Sequence, residues 1–118
     1  MNVKGVNGKE LLKVGDFTSP TIVISADTDT NVFTNRGAAA AVTFNLPPAK
    51  VGMEYTFVGM AAQNIVIDPN GTETITLAGT AQGAGVSITG TGAQNLVCRI
   101  VCLVDGAWKD VIQRGTWA

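Results

Sequence analysis

The stretch Thr34–Pro47, "TNRGAAAAVTFNLP", sets two readings against each other. Four consecutive alanines favour helix. Against that, Val42, Phe44 and Leu46 alternate with Thr43 and Asn45, and Pro47–Pro48 stop the run. Strict alternation is the period of a half-buried strand, and prolines end a ladder because they donate no backbone hydrogen bond. The segment therefore predicts a strand whose apolar face is Val42, Phe44 and Leu46. The side-chain-poor Gly37–Ala41 stretch keeps two readings, a place where the backbone of a symmetry mate comes close or a flexible loop.

The same period recurs outward from this stretch. "TIVIS", "NVF", "EYTFVGM", "NIVID", "TITLA", "GVSIT", "LVCRIVCLV" and "AWKDVIQ" are short β-rich runs parted by turn residues. Short strands at this spacing predict an all-β, single-domain β-sandwich or barrel of short antiparallel strands. "DPNG", Asp68–Gly71, carries a type I turn signature, and Asp105–Gly106 carries a hairpin signal before the strand with Trp108. Trp117, one residue from the C-terminus, is expected to be held by packing. Residues 1–20 show no sustained period and end in Ser19–Pro20, which predicts an extended N-terminal arm before a β-rich domain over 21–118.

"LVCRIVCLV" is apolar on both faces. Leu96, Cys98, Ile100, Cys102 and Val104 make one, and Val97, Val101 and Leu103, broken by Arg99, make the other. Such a strand is either central to two layers or pressed against another subunit. Arg99 then either finds a carboxylate or carbonyl across a subunit interface, since an unpaired buried charge costs several kcal/mol, or snorkels to water. Cys98 and Cys102 lie four residues apart on one strand face, roughly 13 Å, too far for a disulfide. They read as buried free thiols, or as half of a metal pair that would need ligands from a partner.

Composition narrows the function classes. The chain has 118 residues, a formal net charge of −1 and only 14% charged residues, against about 25% in ordinary domains. A surface so poor in charge is weakly defended against association. The scattered cations form no phosphate-neutralising patch, which argues against nucleic acid as a partner. No apolar run approaches the ~18 residues of a membrane span and no signal-peptide pattern opens the chain, so no membrane partner is expected and synthesis in the cytoplasm is. With no histidine and with singly spread carboxylates, no acid–base pair or nucleophile arrangement can be nominated. The expectation is a non-enzyme with no catalytic, cofactor-binding or metal residues. "DTDTN", Asp27–Asn31, opens like a calcium loop, but Val32 and Ala38 stand where glycine and glutamate are required, so it reads as a turn. The Gly-rich loops match no phosphate-binding pattern.

The ordered motifs "TNRGA…VTF.LP", "G..YTFV", "IDP.G..TI" and a closing tryptophan strand ending "GTW" span about Asn31–Trp117. In this order they resemble a module of tailed-bacteriophage virion proteins. The resemblance implies a β-rich structural domain, typically trimeric, found in head decoration (cement) proteins and in head or tail fibres, with no catalytic residues to carry over. The expectation is a homotrimeric capsid decoration protein on the virion surface, made in the host cytoplasm, with the major capsid protein as its other partner. The alternative is a fibre domain recognising a host-surface glycan or protein. Under the first reading the arm residues Val3, Lys4, Val6, Lys9, Leu11, Leu12 and Lys13 bind the capsid, and Arg36, Gly37, Ala39, Ala40, Arg99, Val101 and Leu103 form the subunit interface.

Overall fold

A computed structural model describes residues 12–91 and 94–118. Eleven strands and no helix are found among the described residues: β1 (Val14–Asp16), β2 (Thr21–Val23), β3 (Val32–Thr34), β4 (Val42–Asn45), β5 (Glu54–Val58), β6 (Ile65–Asp68), β7 (Thr74–Leu77), β8 (Thr80–Ala81), β9 (Ile88–Gly90), β10 (Val97–Val104) and β11 (Ala107–Arg114). They form two layers, a seven-stranded sheet ordered β1-β3-β5-β10-β11-β7-β8 and a four-stranded sheet ordered β2-β4-β6-β9. Every run expected as strand contains one; β1 and β8 are additional.

The expected antiparallel pairing is corrected. Five of the nine ladders are parallel: β1 with β3, β3 with β5, β2 with β4, β4 with β6, and β7 with β11. The first six strands alternate between the sheets, so β1 to β4 each pair with the strand two steps later and the chain winds as stacked coils. Parallel neighbours need a long return path of about a dozen residues or more. Here the strand in the opposite layer supplies that path.

The core lies between the sheets. Val42, Phe44 and Leu46 point inward from the four-stranded sheet, as the alternation predicted, and meet Phe33, Tyr55, Phe57, Ile75, Leu77 and Trp108 from the other layer. Phe33 stacks on Phe17 and Phe57 and meets Phe44 and Tyr55 edge-on, so one ring ties both sheets and the chain end together. The hydrogen-bonded turn falls two residues later than the Asp68–Gly71 expected, over Asn70–Glu73, where the Glu73 amide donates to the Asn70 carbonyl at 2.9 Å, and it carries the chain across layers and closes no hairpin. Asp105–Gly106 does close one, between β10 and β11. Trp117 is buried as expected. Its ring lies over Gly90, where a Cβ would sit 2.8 Å from it, and its Nε1 donates to the Arg114 carbonyl.

Part of the segment expected as an arm is paired within a sheet. Val14–Asp16 is a strand of the seven-stranded sheet, and Phe17 packs on Phe33 and Phe44. The described part of the expected arm therefore belongs to the body from Lys13 onward, where the Asn31 and Val32 amides donate to the Lys13 carbonyl.

Candidate functional site

The corner after β3 accounts for the "TNRGA" motif. Asn35 is fully buried, and its Oδ1 accepts from the Met60 and Ala61 amides at 2.7 and 2.9 Å. Its Nδ2 donates to the Ala61 and Gln63 carbonyls. One amide side chain thus satisfies four backbone groups of the next coil's corner, where no ladder reaches them. Thr34 Oγ1 donates to Asp16 and accepts from the Arg36 amide, and Gly37 takes the positive φ of 82° that the turn requires. Ala38 is buried against the core, while Ala39, Ala40 and Ala41 are exposed. The motif is architecture. Sequence reading marked its glycine and alanines and missed Asn35, for which a lone asparagine gives no local signal.

The expected interface residues divide between two places. Arg36, Gly37, Ala39 and Ala40 sit at the β3–β4 corner, where Arg36 lies 3.9 Å from Asp16. Arg99, Val101 and Leu103 lie on β10, on the outer face of the seven-stranded sheet. Arg99 Nη2 donates to Glu54 Oε1 at 3.2 Å on neighbouring β5, while its Nε is buried without a hydrogen-bond partner. With side chains 39% and 47% exposed, the pair contributes about 0.2–1 kcal/mol. Val104 departs from its expected inward face. The ladder shifts between Cys102 and Val104, and Val104 ends 67% exposed beside Leu103 at 64%.

Register builds the outer face row by row. Val14, Val32, Thr56, Arg99 and Ile112 are successive cross-strand neighbours, as are Asp16, Thr34, Val58, Val97 and Arg114. Glu54, Val101 and Lys109 make a third row. On this face Val14, Val32, Val58, Val97, Val101 and Ile112 are interspersed with the charged Asp16, Glu54, Arg99, Lys109 and Arg114, and a shallow groove of about 310 Å³ is lined by Val32, Thr56, Val58, Val97 and Ile112 together with Glu54 and Arg99. Leu12, Val14, Leu103, Val111 and Ile112 are all exposed large apolar residues. The sheet mixes three parallel with three antiparallel pairs, and among the described residues no strand of the second sheet lies on this outer face.

Reactive chemistry is sparse. Cys98 and Cys102 are buried free thiols, as the strand spacing required. Burial, with a smaller contribution from the Asp110 carboxylate, pushes the Cys98 thiol from 9.0 up to about 12. The folded protein holds this proton more tightly than the unfolded chain does. Its contribution to stability is complete below pH 9.0, and is lost as pH rises from 9.0 towards about 12. Cys98→Ala should flatten that alkaline slope, by up to ~1.4 kcal/mol per pH unit. Urea titrations at pH 8, 9.5 and 10.5 give the check, and parallel slopes for the two proteins would count against it.

The "DTDTN" loop is a turn held by its own side chains. Ser25 Oγ donates to Asp27, the Thr30 amide to Thr28 Oγ1, and the Lys13 amide to Asn31 Oδ1. The Ser25 hydroxyl, then the residue's own amide, hold the Asp27 carboxyl below its ordinary value. Among the described residues no group of three or more cysteines and carboxylates is placed to hold a metal ion. Of the expected arm residues, Leu12 and Lys13 are exposed at the start of β1, and Val3, Lys4, Val6, Lys9 and Leu11 lie outside the described residues. No protein-family model and no curated protein matches this chain.

Proposed function

We propose that this chain is a non-enzymatic virion structural protein, a trimeric capsid decoration (cement) protein that stabilises a phage head. The observation that carries the reading is the set of exposed apolar side chains on the outer face of the seven-stranded sheet, Leu12, Val14, Leu103 and Ile112 among the described residues, on the side where Arg99 and Val101 also lie. Exposed apolar side chains on a chain with 14% charged residues fit a subunit that meets other subunits. The resemblance of the ordered motifs to tailed-phage virion modules suggests the kind of assembly. Their residues here make corners, core strands and turns, as expected of a structural module whose contacts lie on its surface.

The mechanism is additive contact. Each copy bridging capsid subunits contributes binding energy only in the closed lattice, at roughly 25 cal/mol per Å² of apolar surface buried, less the cost of association. Many copies raise the work needed to pull subunits apart, and no reaction is involved. In this scheme the copies contact one another through the sheet face, and the major capsid protein through the segment that leads into β1, of which Leu12 and Lys13 are exposed.

The test is cosedimentation with heads of the parent phage stripped of this protein. The full chain should pellet with the heads, while a version lacking residues 1–11 should stay in the supernatant with an unchanged circular dichroism spectrum. The cut must stop there, because Val14–Asp16 is part of the sheet. Equal pelleting of both versions would remove the arm from the scheme. A full chain that never pellets but binds a host glycan would move the assignment to a fibre-type recognition domain.

A further inference from the structure

Asn70 and Gly71 stand at the corner that carries the chain from β6 in one layer to β7 in the other. Both are exposed, and Gly71 takes a φ of 53°, which glycine adopts readily. The Asn70 carbonyl is committed to the turn, accepting from the Glu73 amide at 2.9 Å. Its side-chain amide is not: among the described residues neither that amide nor the Gly71 backbone amide makes a hydrogen bond. The space beside Gly71 is open, since a Cβ placed there would meet nothing within 4 Å. Other asparagines differ. Asn35 is buried with both ends of its amide engaged, and Asn31 Oδ1 holds the Lys13 amide. Each of the other described asparagines is followed by a bulky residue, Val32, Arg36, Leu46, Ile65 or Leu96, which crowds the next backbone nitrogen.

We propose that Asn70 is a self-modification site, at which the folded chain converts its own asparagine to aspartyl and isoaspartyl residues with water as the only co-reactant. The Gly71 amide nitrogen attacks Asn70 Cγ and closes a five-membered succinimide. The bond from Cγ to the side-chain nitrogen breaks, and that nitrogen takes up the proton of the Gly71 amide and leaves as ammonia. Water then opens the ring. Breaking the new bond to Cγ gives aspartate, and breaking the original peptide bond leaves the main chain running through Cγ as isoaspartate. No group is oxidised or reduced. Either product adds one negative charge to a chain whose formal net charge is −1. Isoaspartate also inserts one carbon, about 1.5 Å, into the main chain. The corner has little slack for it: a Cβ at Gly85 would meet the Gly71 carbonyl oxygen at 2.6 Å, and the Gly85 amide donates to the Glu73 carbonyl at 2.9 Å. The Glu73 carboxylate in turn accepts from the Ala49 amide at 3.0 and 3.2 Å. Isoaspartate therefore loosens a seam that joins three segments, while aspartate leaves it in place. The site ages the subunit whatever that subunit assembles with.

The test is incubation of the full folded chain at pH 8.5, followed by peptide mapping. Trypsin separates the chain's two Asn–Gly pairs, leaving Asn7 in the peptide 5–9 and Asn70 in 51–99. Fragmentation of the second peptide should place the amide-to-acid mass gain on Asn70 and leave Asn64 and Asn95 as amides. In water enriched in oxygen-18 the product should carry one heavy oxygen. Asn70→Gln, whose ring would need six members, should show no gain at this position with an unchanged circular dichroism spectrum. Asn70→Asp should match the wild type in urea, and the isoaspartyl fraction, separated by anion exchange, should unfold at lower urea. An Asn70 that stays an amide in the folded chain while the urea-unfolded chain converts it would overturn the inference, because the corner would then protect the residue. Equal conversion at Asn64 would overturn it as well, and so would an isoaspartyl form as stable as Asn70→Asp.

Discussion

Asn35→Ala lowers the unfolding free energy by about 3–4 kcal/mol in urea titration, an effect out of proportion to the loss of a small polar side chain. The side chain is fully buried and makes four hydrogen bonds to the backbone around Ala61. Each such bond contributes roughly 0.5–1.5 kcal/mol net, and a buried partner left unsatisfied costs about 1–3 kcal/mol. Alanine removes all four at once, and the corner beyond β5 has no ladder to take them up. Asn35→Asp keeps the two acceptor contacts and loses the two donors, so it should be destabilised as well. A loss under about 1 kcal/mol for Asn35→Ala would mean that water replaces the amide at this corner.

Phe33→Ala carries the other large effect, about 4–5 kcal/mol. Emptying a buried phenylalanine position costs about 3–5 kcal/mol in transfer and cavity energy, and ring pairs add about 0.5–1.5 kcal/mol each beyond area. Phe33 is 2% exposed and meets four other rings. Phe44 also contacts both Phe17 and Phe57, so the void cannot close without separating the sheets. Thermal denaturation should show a drop of roughly 15 °C. The outer face supplies the contrast. Leu103→Ala, on a side chain 64% exposed, should stay within about 0.5 kcal/mol of the wild type. If Phe33→Ala and Leu103→Ala proved equally mild, the core would not lie between these sheets.

Much of the layering was legible because burial follows period. Val42, Phe44 and Leu46, Ile75 and Leu77, and Cys98, Ile100 and Cys102 are buried where the alternation put them. Alternation says which side of a strand faces the core, and it reads the same for parallel and antiparallel neighbours. Pairing direction was therefore hidden, and the turn at Asp68–Gly71 looked the same whether it closed a hairpin or changed layers. β1 escaped notice for a related reason. Val14–Asp16 is three residues with a glycine inward, too short for a period to register.

The candidate face was half visible. The outward Val97, Val101 and Leu103 of "LVCRIVCLV" were readable as a second apolar side, but their companions Val14, Val32, Val58 and Ile112 come from four other strands, and register alone gathers them. Arg99 was readable as a charge needing a partner. That the partner is Glu54 of the same chain depends on β5 lying against β10.

By itself the sequence determined the all-β class, the inward side of most strands, the hairpin at Asp105–Gly106, the unbridgeable spacing of the cysteines and a surface poor in charge. These follow from local stereochemistry, the two-residue period of a strand, the φ preference of glycine and the reach of the chain between neighbouring residues. Tertiary structure alone decided the parallel coils, the Asn35 staple and the gathering of outward side chains from five strands on one face. Each joins groups distant in sequence, and the energy that selects them is gained only once both sheets close on their shared core.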